Sequence, residues 1–218
     1  MPIVAYVLTA LGAYLLGSIP TGFLVGKARG LDIRTMGSGN IGATNVFRYL
    51  GTVAGILVLL VDALKGLAAV WVVTRLCWYL FGTPSSATAR EWLEIIAGLA
   101  AVLGHNYTCW LSFKGGKGIA TSAGVLVALV PYALLIILGV WIIVFGATRF
   151  VSLASICASF TLPFATWFTN GSFTMIAITS AMTALAIYKH KPNIERLLKG
   201  TESRIGFKKQ PPTPKPTS

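Results

Sequence analysis

Residues 119–147 read "IATSAGVLVALVPYALLIILGVWIIVFGA", an uncharged run of 29 residues with Pro131 near its middle. A helix crosses the ~30 Å hydrocarbon core of a bilayer with about 20 residues, so one crossing leaves this run too long. Proline removes a helical hydrogen bond and disfavours helix in the residue before it. The run therefore divides into two short crossings, about 119–130 and 131–147.

That division settles a question of parity. Hydropathy marks further apolar segments at about 3–26, 51–81, 92–112, 151–169 and 171–188. The loop 27–50 carries Lys27, Arg29, Arg34 and Arg48 against Asp32, and positive loops face the cytoplasm. The N-terminus is then outside. The chain beyond Lys189 is more basic still and belongs inside, so the crossings must be odd in number. Splitting the run at Pro131 gives seven. A break in 51–81, near Asp62 or Gly66, is the rival; the Pro131 split is preferred because it gathers the polar loops on one face. Asn170-Gly171 is expected to make a tight outer turn.

Composition supports this class. Of 218 residues 55% are hydrophobic and 11% charged, with mean hydropathy +0.75, against about 25% charged in ordinary globular domains. The fold expected is an all-α polytopic membrane protein with one domain over residues 1–206. The tail 207–218, "FKKQPPTPKPTS", cannot build a core and is expected to be disordered. The net charge of +12 lies in loops and tail without aromatic interleaving, which fits anionic lipid and argues against nucleic acid. Cys77, Cys109 and Cys157 sit singly in apolar runs, as packed thiols do. No basic leader precedes the first apolar run, so that span is expected to be retained.

With this topology four polar islands, at 34–48, 112–122, 149–155 and 189–204, share one side, each carrying a recognisable stretch. The first, "GSGNIGATNVFR" at 37–48, offers Ser38, Asn40, Thr44 and Asn45 as neutral hydrogen-bonding groups and Arg48 as a forked cation. Gly37, Gly39 and Gly42 let backbone N–H groups turn toward an anion. The second, "FKGGKGIATS" at 113–122, sets Lys114 and Lys117 around Gly115 and Gly116 ahead of a helix N-terminus, an anion site that lacks the Walker pattern. The third, "RFVSLAS" at 149–155, places Ser152 and Ser155 on one helix face after Arg149. The fourth, "HKPNIERLLKG" at 190–200, supplies His190, Asn193, Glu195 and Arg196. His105 and Asn106, inside an apolar segment, are expected to pair with each other or with backbone. Asp62 and Lys65 read as an intrahelical pair. No carboxylate pair, metal-ligand cluster or Ser-His-Asp set stands out. Such a site suits an activated phosphate substrate without a strong base, a metal or a cofactor.

Taken together, "GSIPTGFLVGK" at 17–27, the first island, "GHNYTCWLSFKGGKGIAT" at 104–121, "RFVSLAS" and "HKPNIERLLKGTE" at 190–202 resemble the acyl-phosphate glycerol-3-phosphate acyltransferase family, PlsY. The resemblance runs in the family's order from residue 17 to about 206. One departure is Tyr107-Thr108, where the family commonly shows Phe-Pro.

The resemblance implies a seven-helix enzyme of the bacterial plasma (inner) membrane with its active site toward the cytoplasm. It would move an acyl group from acyl phosphate to the sn-1 hydroxyl of glycerol 3-phosphate, giving lysophosphatidic acid. It implies that Ser38 and Arg48 are essential and that the lysines of "FKGGKG" bind glycerol 3-phosphate. It further implies a site serine at Ser152 or Ser155, a working pair in His190 and Asn193, and an acidic partner in Glu202. His105 joins the substrate-binding set. The partners expected are the two substrates, the bilayer and the soluble enzyme that makes acyl phosphate. The rival class is a transporter or channel for a phosphorylated anion. It fits less well, because the charge gathers on one side and no internal repeat is seen.

Overall fold

The chain stops being helical at Val130, one residue before the proline that predicts it. In this computed structural model, which describes residues 1–206, helix α7 (Ile119–Leu129) ends there and α8 (Pro131–Thr148) begins on the proline. Proline's fixed φ suits the first helical position, where its missing N–H costs no bond. The rival break does not occur. Helices α4 (Thr52–Ala68) and α5 (Thr74–Phe81) join through a π-helical turn at Ala69–Val73, and Thr52–Phe81 stays helical throughout.

Elsewhere the boundaries move. The first apolar segment contains a break at Ile19-Pro20, between α1 (Ile3–Ser18) and α2 (Thr21–Lys27). The third begins earlier than hydropathy indicates. Ser86 accepts the Ala89 N–H as an N-cap, and Arg90 pairs with Glu94 at 3.2 Å, so the polar turn from Ala87 is already helix in α6 (Ala87–Asn106). Beyond it, α9 (Val151–Thr169) and α10 (Phe173–Lys189) flank the predicted turn at Asn170-Gly171. A short α3 (Ala43–Leu50) follows the first island and α11 (Lys191–Leu198) the last span.

Among the described residues, four segments are long and apolar enough to cross a membrane: Ile3–Lys27, Thr52–Phe81, Pro131–Thr148 and Val151–Thr169. Of the eighteen residues of α8 only Ala133 and Ile137 are buried; Leu135, Ile142 and Ile143 face outward. So much exposed apolar surface is a lipid-facing surface. Helix α1 lies along α6, α4 along α7, and α8 and α10 along α9. The largest apolar core, including Val102, Val125, Leu126, Ile137 and Leu162, ties α6 through α10 together. A second core of Ile33, Ile41, Val46, Val58 and Leu111 anchors the first island. The tail reading for 207–218 lies outside the described residues.

Candidate active site

Glu202 organises the site. After α11 the chain turns at Gly200, and the N–H groups of Thr201 and Glu202 both donate to the Arg196 carbonyl, at 2.8 and 3.1 Å. This helix C-terminal closure brings Glu202 back over the face it has just left. Its Oε2 accepts from Arg196 Nε at 2.7 Å. Its Oε1 accepts from Asn193 Nδ2 at 2.8 Å and from Ser152 Oγ at 2.9 Å. Asn193 Oδ1 in turn accepts from Lys117 Nζ. Next along the chain, the Ser203 carbonyl accepts from Arg48 Nη2 at 2.8 Å, and Ile205 N–H donates to the Arg149 carbonyl at 3.0 Å. The four islands, far apart in sequence, thus meet around one carboxylate.

The electrostatics are those of a site short of anions. Burial lowers Lys117 to about 8; Glu202 opposes this, while Arg196, Arg48 and Lys189 reinforce it. Burial also lowers the Arg48 guanidinium, with Glu202 offsetting part of the effect. Burial by itself would raise the Glu202 carboxyl, but hydrogen bonds from Arg196, Asn193 and Ser152 outweigh it and hold the group below its usual range. Its oxygens are already committed to protein donors. His190 is lowered to about 4 by burial and then by Lys117, so it is neutral at pH 7. Its Nδ1 lies 2.7 Å from the Ala186 carbonyl and so carries the proton, leaving Nε2 as an acceptor.

Not every residue predicted for the site reaches this cluster. Asn45 shapes the first island: its Oδ1 accepts from Ser38 N–H at 3.2 Å, and its Nδ2 donates to the Ile33 and Met36 carbonyls. Asn40 Oδ1 accepts from Gly42 N–H at 2.8 Å ahead of α3, and Ser38 Oγ receives Asn40 N–H at 3.4 Å. Gly37 and Gly39 supply the left-handed turns, with φ of 56° and 68°. Ser38 is exposed, and its bonds among the described residues stay within this loop. Thr44 is half-buried in the first turn of α3. Lys114 and the Arg149 side chain are exposed. Of the two candidate serines, Ser152 joins Glu202, while Ser155 accepts from Trp141 Nε1 at 3.2 Å.

His105 departs from expectation. It pairs neither with Asn106 nor with backbone through its ring; α6 turns it toward α4, where Nδ1 lies 3.6 Å from Asp62 Oδ1. The ring lies beneath the second island. Gly116 N–H donates to the His105 carbonyl at 3.0 Å, and a Cβ on Gly116 would stand 2.1 Å from His105 Nε2. Gly115 is held likewise, its N–H donating to the Asn106 carbonyl at 3.3 Å. Gly116→Ala is therefore expected to lift the loop off the ring and move Lys117. The measured effect should be a loss of activity, up to the roughly 10²-fold that a misplacement of about 1 Å costs.

Two cations that the sequence reading left out of the site also matter. Arg196 holds Glu202, and Lys189 Nζ donates to the Asn106 carbonyl at 3.0 Å while lying 4.4 Å from the Tyr107 ring centroid. Arg196 was open to detection, since a helix ending in Gly200 with an acid two residues later predicts this closure. Lys189 looks like an ordinary end-of-span lysine and carried no such signal.

A family model described as glycerol-3-phosphate acyltransferase matches residues 7–200. The chain belongs to the glycerol-3-phosphate acyltransferase family. Glycerol-3-phosphate acyltransferases of Synechococcus sp. (strain JA-3-3Ab) and Trichlorobacter lovleyi are 45% and 47% identical to it. These alignments cover 92% and 89% of this chain, and 94% of each relative. Among solved structures, PlsY (YgiH), an integral membrane glycerol 3-phosphate acyltransferase, matches in its glycerol 3-phosphate form with TM-score 0.81. At 40% identity that match covers 92% of this chain and 96% of the other. Its lysophosphatidic acid form matches with TM-score 0.78 at the same identity, covering 92% and 95%. The cation-rich cluster thus sits in a glycerol-3-phosphate acyltransferase of the membrane-integral kind, and the transporter alternative gains no support.

Proposed function

We propose that this acyltransferase takes its acyl group from acyl phosphate and delivers it to the sn-1 hydroxyl of glycerol 3-phosphate. The products are lysophosphatidic acid and inorganic phosphate. The observation that carries this reading is the gathering of Arg48, Lys117 and Arg196 around a carboxylate whose oxygens are already bonded. Such a site binds phosphates well and offers no free strong base. Acyl phosphate is a mixed anhydride with a good leaving group, so holding two phosphates and aligning the hydroxyl does most of the work.

In this reading Ser38, Arg48 and the N–H groups of 37–42 hold the donor phosphate. Lys114, Lys117, His190 and Asn193 hold glycerol 3-phosphate. The sn-1 oxygen attacks the acyl carbonyl, the C–O bond to phosphate breaks, and a phosphate oxygen accepts the hydroxyl proton. An apolar groove of about 330 Å³ lined by Ile19, Pro20, Phe23, Leu24, Trp110 and Leu111 adjoins both islands and would take the start of the acyl chain. The four long spans together with Ala87–Asn106, Ile119–Leu129 and Phe173–Lys189 make seven crossings. An odd number of crossings puts the termini on opposite sides, and the basic loop 27–50 favours an outside N-terminus with the site at the cytoplasmic face of a bacterial inner membrane, where a soluble acyl phosphate-forming enzyme can supply it.

The test is incubation of purified protein with acyl phosphate and labelled glycerol 3-phosphate. Labelled lysophosphatidic acid is expected, and its absence would overturn the donor assignment. The reading also fixes a pH dependence. Lys117 binds phosphate as the ammonium, so kcat/KM for glycerol 3-phosphate should fall as pH rises through about 8. Lys117→Arg should move that alkaline limb to higher pH.

A further inference from the structure

Asp62 and Lys65, in the lipid-crossing part of α4, are 2% and 5% exposed, and the chemistry above uses neither. Their pairing at 2.8 Å is what sequence spacing predicts, but the pair is also a junction. Lys65 Nζ donates to the Ile19 carbonyl at 2.8 Å, at the break between α1 and α2, where the same oxygen accepts the Thr21 N–H at 3.0 Å. Asp62 Oδ1 accepts from Thr21 Oγ1 at 2.9 Å and faces His105 Nδ1 at 3.6 Å. An ion pair in hydrocarbon is costly, and apolar side chains would join two helices more cheaply.

Each arm of Asp62 ends on one island. Thr21 opens α2, and the next residue, Gly22, rests on the first island; a Cβ there would lie 1.8 Å from the Ile41 carbonyl oxygen. His105 forms the floor of the second island through Gly116. With Nδ1 toward Asp62 and Nε2 covered by Gly116, His105 cannot reach a substrate hydroxyl as a base. We propose that Asp62 is a positioning residue that fixes the spacing of the two phosphate-binding islands, the first through Thr21 and α2, the second through His105 and Gly116. This rests on assigning the donor to the first island and glycerol 3-phosphate to the second.

Steady-state kinetics of single-arm variants, which keep the ion pair, test it. Thr21→Val should raise KM for acyl phosphate roughly tenfold and leave KM for glycerol 3-phosphate alone; His105→Gln should do the reverse, within the about 10²-fold that misplacement costs. A merely structural role would lower the active fraction, so kcat would fall with both KM values unchanged, and that result overturns the proposal. Asp62→Asn with Lys65→Met, which removes both charges, should raise both KM values. Adding Thr21→Val to that background should then change little, because the two lesions share one carboxylate; full additivity would count against it. Should that double variant fail to fold, the single-arm variants decide alone. Should the parent not use acyl phosphate, the donor reading fails, while the effect of His105→Gln on the glycerol 3-phosphate KM still tests the second arm.

Discussion

Arg48→Lys is expected to lower kcat/KM with acyl phosphate by about 10²–10³, or about 2.7–4 kcal/mol, the scale of losing one well-placed oxyanion donor. The geometry supplies the reason. Arg48 spends Nη2 on the Ser203 carbonyl at 2.8 Å, and its Nε is buried with no partner among the described residues. A guanidinium can keep that anchor and still present further N–H groups to two phosphate oxygens, because its donors form a rigid fork. An ammonium on a flexible stem reaches the carbonyl or the phosphate, not both in fixed register. Charge is conserved in this substitution, so the loss reports geometry. Thermal stability of the purified variant should stay near that of the parent, and turnover within a few-fold of the parent would sink the role assigned to Arg48.

How much of this was open to a reader of the sequence depends on distance along the chain. The break at Val130 follows from one local rule about the residue before proline, and it came out where that rule puts it. The break at Ile19-Pro20 obeys the same chemistry but stayed hidden, since hydropathy runs on through it. What secures it is Lys65, 46 residues away, whose ammonium meets the Ile19 carbonyl. The first island divides in the same manner. Its amides and glycines announced a polar turn, yet only the fold shows that Asn45 has spent its amide on Ser38, Ile33 and Met36 while Arg48 leaves the loop to meet Ser203. The serine pair was ambiguous because i and i+3 share a helix face. Trp141 on the neighbouring helix separates them, and no spacing within 149–155 contains that information.

Glu202→Gln should be nearly as damaging as the change at Arg48, and it separates two roles for the carboxylate. An amide can accept from Ser152 or Asn193, but its NH2 end confronts Arg196 Nε donor to donor. It also leaves Arg48, Lys117 and Arg196 without the negative charge they surround. Removing one partner of a fully buried ion pair costs about 3–5 kcal/mol, and here solvent screens part of that because the Arg196 side chain is 36% exposed. If half of that falls on the bound transition state, kcat/KM drops roughly tenfold to 10²-fold at about 1.4 kcal/mol per decade. The sign of the pH effect is the sharper result. Glu202 is what opposes the lowering of Lys117, so its loss must take that group further down from about 8. The alkaline limb of kcat/KM should then move to lower pH, and inorganic phosphate should stabilise the variant against heat more than it does the parent. A carboxylate acting as general base predicts something different. Its removal would erase the acid limb and leave the alkaline limb where it was. Because hydrogen bonds hold Glu202 ionised and fully engaged, the first pattern is expected, and an unmoved alkaline limb would overturn its role as the anion that keeps Lys117 charged.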